Sequence, residues 1–290
     1  MELGINNFIS KMIWKILIVI IVIIALIVFS LIAVYLNFLT ERKQVNKIWQ
    51  SLETSPSNTI FTTEMVAQLP QPVQRYFLHA IQPGTTLAKS VKLKMNGRFR
   101  LSSDKPWLPM EAEQIISGFT GFVWKANIGS GLIKFIGDDY YFNNFGRIWF
   151  SIWGIIPVVN AQNQDITRSS IGRLVGESFW LPSVLLPQNG VIWQAINDNT
   201  IEASMKVDGE SVTLTFVIDS NGKLLKMSLP RWEDKTEDGS YTYIPFGGEV
   251  LEEQTFAGFT IPSQINAGWW FGTDKYFDFF RANIEEAEFF

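Results

Sequence analysis

Two hydrophobic patterns divide this chain. From Ile16 to Leu36 all 21 residues are uncharged, and a bilayer-spanning helix needs about 20 apolar residues. A helix satisfies its backbone polar groups internally, as the bilayer core demands. The stretch exceeds the apolar region of a cleaved signal peptide, about 7–15 residues, and exits into Asn37-Phe38-Leu39-Thr40-Glu41-Arg42-Lys43. The reading is therefore an uncleaved membrane anchor. Beyond it Val45, Ile48, Trp49 and Leu52 share one helical face. Residues 39–52 either prolong the helix or form a stalk lying on the bilayer or the domain.

After Ser55-Pro56-Ser57-Asn58 the pattern changes. A short helix is expected over Thr63–Gln68. A second starts with Pro72 in its first turn and carries Val73, Tyr76, Phe77 and Ile81 before Pro83-Gly84. Period two then takes over. Val91, Leu93, Met95, Phe99 and Leu101 alternate with Lys92, Lys94, Asn96, Arg98 and Arg100, the signature of a half-buried strand. The next strand spans Met110–Ile116. A turn centred between Lys105 and Pro106 sets Arg100 opposite Glu111 and Arg98 opposite Glu113, so these four residues read as structural ion pairs. Strands follow at Gly121–Ile128 and Leu132–Tyr141. The uncharged run Ile148–Pro157 is too short to span a bilayer and reads either as a buried strand and turn or as an apolar flap or second membrane contact.

Asp165–Trp180 has helical period, with Ile171, Leu174, Val175 and Phe179 on one stripe. Gly172 and Gly176 each cost a helix about 1 kcal/mol, and the expected return is close approach of another backbone. Arg173 and Glu177 stand at i,i+4 and read as an ion pair. The turn signals Asn189-Gly190, Asn197-Asp198-Asn199, Asp208-Gly209 and Asn221-Gly222 then delimit a four-stranded meander over Val191–Ile196, Thr200–Val207, Ser211–Ile218 and Lys223–Leu229. Further strands are expected at Ser240–Ile244, Val250–Phe256, Gln264–Phe271 and Tyr276–Ile284, with a turn at Gly247-Gly248.

These elements define a mainly β (α+β) chain. The reading is an N-terminal transmembrane helix, then a strongly curved, open-barrel-like antiparallel sheet of about ten strands with a helix on its concave face. Its divisions are residues 1–38 (tail and anchor), 39–62 (juxtamembrane stalk) and 63–290 (a single β-rich domain).

Composition narrows the chemistry. The net charge of −4 is mild, which argues against nucleic acid as a partner. Cysteine is absent, excluding disulfides, thiol catalysis and Cys-ligated metals. His79 is the only histidine, and no G-x-S-x-G turn accompanies it, so a Ser-His-Asp triad is not expected. One histidine does not make a zinc site, and phosphate loops and dinucleotide fingerprints are missing. No metal, cofactor or catalytic residue is expected. Asp138 and Asp139, neighbours on a strand, point to opposite faces. Glu177 is the best single acid, with an ion pair to Arg173 or Arg168 as its plainer role.

A set of motifs also carries a family resemblance. It comprises Leu69-Pro70 with Pro72 and Arg75-Tyr76-Phe77, Gly97-Arg98-Phe99-Arg100, Trp107-Leu108-Pro109, Glu113-Gln114 and Phe122-Val123-Trp124. It continues with Arg173-Leu174, Glu177, Trp180, Pro182, Leu185-Leu186-Pro187, Trp193, Asp198, Pro245-Phe246-Gly247, Gly258 and Ile261-Pro262. In this order, over most of residues 65–285, the chain resembles an uncharacterised bacterial domain-of-unknown-function family with an N-terminal membrane anchor. That family is distantly similar to the lipoprotein-carrier superfamily of open β-barrels, whose curved sheet holds acyl chains.

Eleven Trp and 23 Phe together with the resemblance imply a membrane-anchored, non-catalytic binding protein for a lipid or other apolar ligand. Its expected partners are the bilayer, through Ile16–Leu36, and that ligand, with the domain on the extracytoplasmic side. Candidate lining residues are Trp124, Trp149, Trp153, Trp180, Trp193, Trp269 and Trp270; the plainer alternative is that they fill the core. A second reading is a structural or assembly partner of a membrane protein complex, and a third is a carboxylate-dependent hydrolase.

Overall fold

A computed structural model describes residues 2–131 and 133–290, with side chains described from Lys11 onward. Met1, the first residue of the expected tail, and Leu132, the first of one expected strand, lie outside the described residues. The chain divides into two compact units, Met1–Gln44 and Val45–Phe290.

Helix α1 runs unbroken over Glu2–Leu52. Along Ile16–Leu36 its large apolar side chains are exposed. At about 1.5 Å per residue that segment reaches roughly 30 Å, the thickness of a hydrocarbon core. One long, exposed apolar helix near the N-terminus is consistent with a signal anchor or a signal sequence. In the second unit, its last turns pack Val45 and Leu52, with Ile48 and Trp49, against Ile115, Val123 and Tyr140. Residues 39–52 therefore prolong the helix, and its end lies on the domain.

All the strands form one antiparallel sheet of 13. The first half is β1 (Ser90–Phe99), β2 (Leu108–Ser117), β3 (Gly121–Ser130), β4 (Ile133–Phe142), β5 (Phe145–Ile152) and β6 (Ile156–Ala161). The second half is β7 (Ile192–Ala195), β8 (Thr200–Val207), β9 (Glu210–Ile218), β10 (Leu224–Glu233), β11 (Thr242–Phe256), β12 (Phe259–Trp269) and β13 (Phe277–Phe289). Each half is a meander, and β1 pairs with β13 where they meet. The outermost strands, β6 and β7, are consecutive in sequence. Their connection carries α3 (Gln164–Gly176), which packs on β4 and β5 of one half and on β9 and β10 of the other. Helix α2 (Gln71–Ala80) packs on β7, β8 and β12.

Asp208-Gly209 joins β8 to β9 with both residues at positive φ, the twist two-residue hairpins favour. Several expectations need correction. The sheet is neither closed nor strongly curled: the hydrogen-bond ladder ends at β6 and β7, and each is paired on one side only. Thr242–Ile244 of one expected strand and all of Val250–Phe256 belong to one long strand, β11, and Gly247-Gly248 lies inside it rather than in a turn. A Cβ on Gly248 would stand 2.3 Å from the Asn266 carbonyl, so glycine there permits close pairing. The helix expected to reach Trp180 stops at Gly176 and continues as a 3-10 turn, Ser178–Trp180. Gly172 and Gly176 face not a backbone but the side chains of Arg231, and of Leu229 and Met227, on β10.

The β1–β2 register places Lys94 opposite Glu113, Asn96 opposite Glu111 and Arg98 opposite Pro109. The expected pairs Arg98–Glu113 and Arg100–Glu111 are therefore not formed, because the turn lies two residues earlier than Lys105-Pro106. Arg100 pairs instead with Asp278 at 2.6 Å. Arg98 faces Arg281 across β13 and lines an open groove of about 320 Å³.

Candidate functional site

Residues directly opposite in an antiparallel ladder share a face, so the register sorts side chains by side. Leu93, Gln114, Trp124, Asp139 and Ile148 form one row across β1 to β5. The adjacent row is Met95, Ala112, Ala126, Gly137 and Phe150. These rows face α3. Lys94, Glu113, Lys125, Asp138 and Trp149 belong to the opposite face.

Helix α3 brings charge to the inner face. Its start is set by Asn163, whose side chain accepts the Ile166 N–H at 2.8 Å, an N-cap. One turn from its end Arg173 reaches Asp139 at 2.5 Å and Glu177 at 2.7 Å. Its guanidinium also lies over the rings of Phe122 and Trp124 at 4.8 and 4.9 Å. Burial opposes its charge, but Glu177 and Asp139 more than offset this and hold its pKa above the usual arginine value. Glu177 also accepts from Gln114 Nε2 at 2.5 Å. Nearby, Arg231 donates to the Ser169 carbonyl and hydroxyl at 3.2 and 3.4 Å and lies over Phe246 and Trp269. Burial depresses its pKa, and burial raises that of Glu233.

Beside this polar cluster lies an aromatic margin. Phe99 stands opposite Phe280, and Phe246 opposite Trp269. Trp124 contacts Phe150 and Phe280 at centroid distances of 6.1 and 6.2 Å. Phe99, Phe135, Phe150, Phe246 and Phe280 pack on the main core yet remain only partly buried.

The seven candidate tryptophans do not converge. Trp124 and Trp269 flank this margin. Trp180 and Trp193 are deep in the core, donating to the carbonyls of Pro262 and Leu185 at 3.0 and 2.8 Å. Trp149 is buried on the opposite face, beside Asp138. Trp153 is 46% exposed at the β5–β6 turn, and Trp270 sits after β12, its indole donating to the Lys235 carbonyl. Arg168 pairs with Glu210 rather than Glu177. His79 bonds Glu253 at 2.8 Å, and Glu253 also accepts the Leu224 N–H, tying α2 to β10 and β11.

The sequence reading missed Gln114, Asp139 and Arg231 as a group. Gln114 had a signal: between Met110, Ala112 and Ile116 it is the one polar residue on a buried stripe. The convergence of Asp139 and Arg231 on α3 depends on strands far apart in the chain.

The architecture is that of a large unclosed antiparallel sheet with helices on its inner face. A family model matches residues 67–289, and the chain belongs to that family, a family of unknown function (DUF6920). No curated protein matches the chain in sequence. Among solved structures, it is similar to a LolA-superfamily protein from Nitrosomonas europaea, at 9% identity and a TM-score of 0.37, over 75% of this chain and 91% of that one. A proposed outer membrane lipoprotein-sorting protein domain from Vibrio parahaemolyticus aligns at 9% identity and a TM-score of 0.34, over 78% and 91%. A DUF1329-family protein from Desulfovibrio piger aligns at 9% and 0.31, over 70% and 86%.

Proposed function

We propose that this protein is a membrane-anchored, non-catalytic binding protein that holds a lipid or other apolar molecule on the inner face of its sheet. The observation that carries the reading is the aromatic margin: Phe99, Phe135, Phe150, Phe246 and Phe280 are partly exposed on the core-facing side. The placement of α3 supports it. The helix packs on β4 and β5 of one half of the unclosed sheet and on β9 and β10 of the other, and the aromatic margin lies on the face the helix covers only in part. In this reading Ile16–Leu36 crosses the membrane, the domain lies on the extracytoplasmic side, and Trp124 and Trp269 are the lining tryptophans.

The test is to isolate the full chain in a mild detergent and identify retained lipids by mass spectrometry. A stoichiometric apolar ligand, reduced when Phe150 and Phe280 are both replaced by Ser, supports the reading. A preparation free of ligand, with an inner face that takes up none on addition, contradicts it.

A second reading, as an assembly partner of a membrane complex, is favoured by β6. This edge strand leaves Ile156, Val158 and Val159 exposed, and an unpaired apolar edge invites pairing with another chain. Cross-linking from β6 to one defined partner would support it.

A further inference from the structure

Among the described residues, three buried side-chain atoms without a hydrogen-bond partner fall on one row of the ladder: Gln114 Oε1, Trp124 Nε1 and Asp139 Oδ1. These residues are 1, 4 and 7% exposed. Each directly faces the next across a strand pair, a spacing of about 5 Å between Cβ atoms. One orphaned buried polar group costs about 1–3 kcal/mol, so three in line point to an occupant rather than to chance.

The donor and acceptor pattern specifies that occupant. Trp124 Nε1 needs an acceptor; Gln114 Oε1 and Asp139 Oδ1 need donors. An ammonium group cannot accept from the indole. A carboxylate or phosphate cannot donate to either oxygen and would meet two carboxylates whose shared cation, Arg173, is already engaged at 2.5 and 2.7 Å. Hydroxyl groups both accept and donate, and they are neutral. The neighbouring row is Ala112–Ala126–Gly137, whose side chains are minimal. The Phe150 ring lies over Gly137 and, with Phe280, contacts Trp124. These two partly exposed rings therefore stand between the polar row and the margin, and a ligand enters by displacing them.

We infer that Gln114, Trp124 and Asp139 form a polar subsite for the hydroxyl-bearing head of an amphipathic ligand, a glycerol-type diol being the best match, with its apolar chain along the aromatic margin. This rests on the binding role proposed above and names the ligand class. Binding is non-covalent, and Arg173 positions Asp139 without touching the ligand.

The test uses the full chain in amphipol and two probes, 1-monooleoylglycerol and methyl oleate, which share an acyl chain and differ in the diol. Native mass spectrometry reads occupancy of each. The expected result is a preference of about tenfold or more for monooleoylglycerol, because a site built to hydrogen-bond a hydroxyl rejects the analogue lacking it. Trp124→Phe and Gln114→Met, checked for a native fold by far-UV circular dichroism, should each lose that preference, read as the ratio of monooleoylglycerol to methyl oleate occupancy. Equal binding of both probes by the unaltered chain overturns the subsite, leaves the row to a trapped water, and leaves apolar binding standing. A preference that survives both substitutions also overturns it. Binding of neither probe overturns the subsite and the binding role together. If the variants do not fold, the comparison of probes on the unaltered chain still decides.

Discussion

The Arg173 guanidinium donates to the Asp139 carboxylate at 2.5 Å, joining α3 to β4 where both side chains are almost withdrawn from water. The same guanidinium holds Glu177 at 2.7 Å. Removing it by Arg173→Met strands two carboxylates in a buried site, and breaking a buried pair in this way costs about 3–5 kcal/mol. The urea midpoint should fall accordingly. Combining Arg173→Met with Asp139→Asn and Glu177→Gln should recover part of the loss, since no uncompensated charge then remains. A single substitution that leaves the midpoint unchanged would mean that water reaches the cluster.

Helix α3 also depends on Gly146 of β5. A Cβ there would stand 2.7 Å from Ser170 Oγ and 2.8 Å from the Thr167 Cα, so backbone and helix meet with no room between. Gly146→Ala should cost about 1–3 kcal/mol as the helix is pushed from the sheet. Gly172→Ala should be nearly neutral. Its new methyl meets Arg231 Cγ at 3.1 Å, and that crowding opposes a gain of about 1 kcal/mol in helix propensity. Denaturation of the two variants side by side checks the contrast.

What the sequence disclosed follows from locality. The apolar helix, the alternation of Val91–Leu101 and the meander from Thr200 to Leu229 are written in neighbouring residues, and the structure has each element. The helix nevertheless extends well beyond Ile16–Leu36 to Glu2–Leu52, β1 stops at Phe99 and β10 continues to Glu233. Register is not local. The loop after Phe99 was centred two residues late, which exchanged Lys94 for Arg98 opposite Glu113. Long-range pairing is less local still: β1 with β13, or Asp139 with Arg173, requires knowing which of thirteen strands are adjacent. The tryptophans illustrate the limit. Composition marks them as important, but only the ladder separates Trp124 on the inner face from Trp149 on the outer.

His79 gives the fold a pH dependence. Its hydrogen bond to Glu253 raises the imidazole pKa above the ordinary 6.5, against the opposing effect of burial. A group whose folded pKa is raised contributes stability that is fully present below the unfolded value and is lost as pH rises through the folded value. The chain should therefore lose stability from about pH 6.5 upward into the range above the folded pKa. His79→Gln should flatten that part of the profile, and since His79 is the only histidine, no other imidazole obscures the comparison. A profile unchanged by the substitution would mean that the Glu253 contact is not kept in solution.

Trp153 occupies a backbone position that tryptophan disfavours. It has φ 54°, followed by Gly154 at 74°, in the turn between β5 and β6. A bulky side chain in this left-handed region is costly, about 1–3 kcal/mol, whereas asparagine is among the residues that adopt it most readily. The Trp153 side chain is also 46% exposed, so little burial offsets the strain. Trp153→Asn should raise the thermal midpoint, by an amount corresponding to about 1 kcal/mol. Retention of an apolar ligand on the inner face should be unchanged, because the indole stands at the hairpin tip and not beside Trp124. If the variant is more stable but retains less ligand, Trp153 belongs to the lining after all, and the β5–β6 hairpin acts as a flap whose strain serves binding.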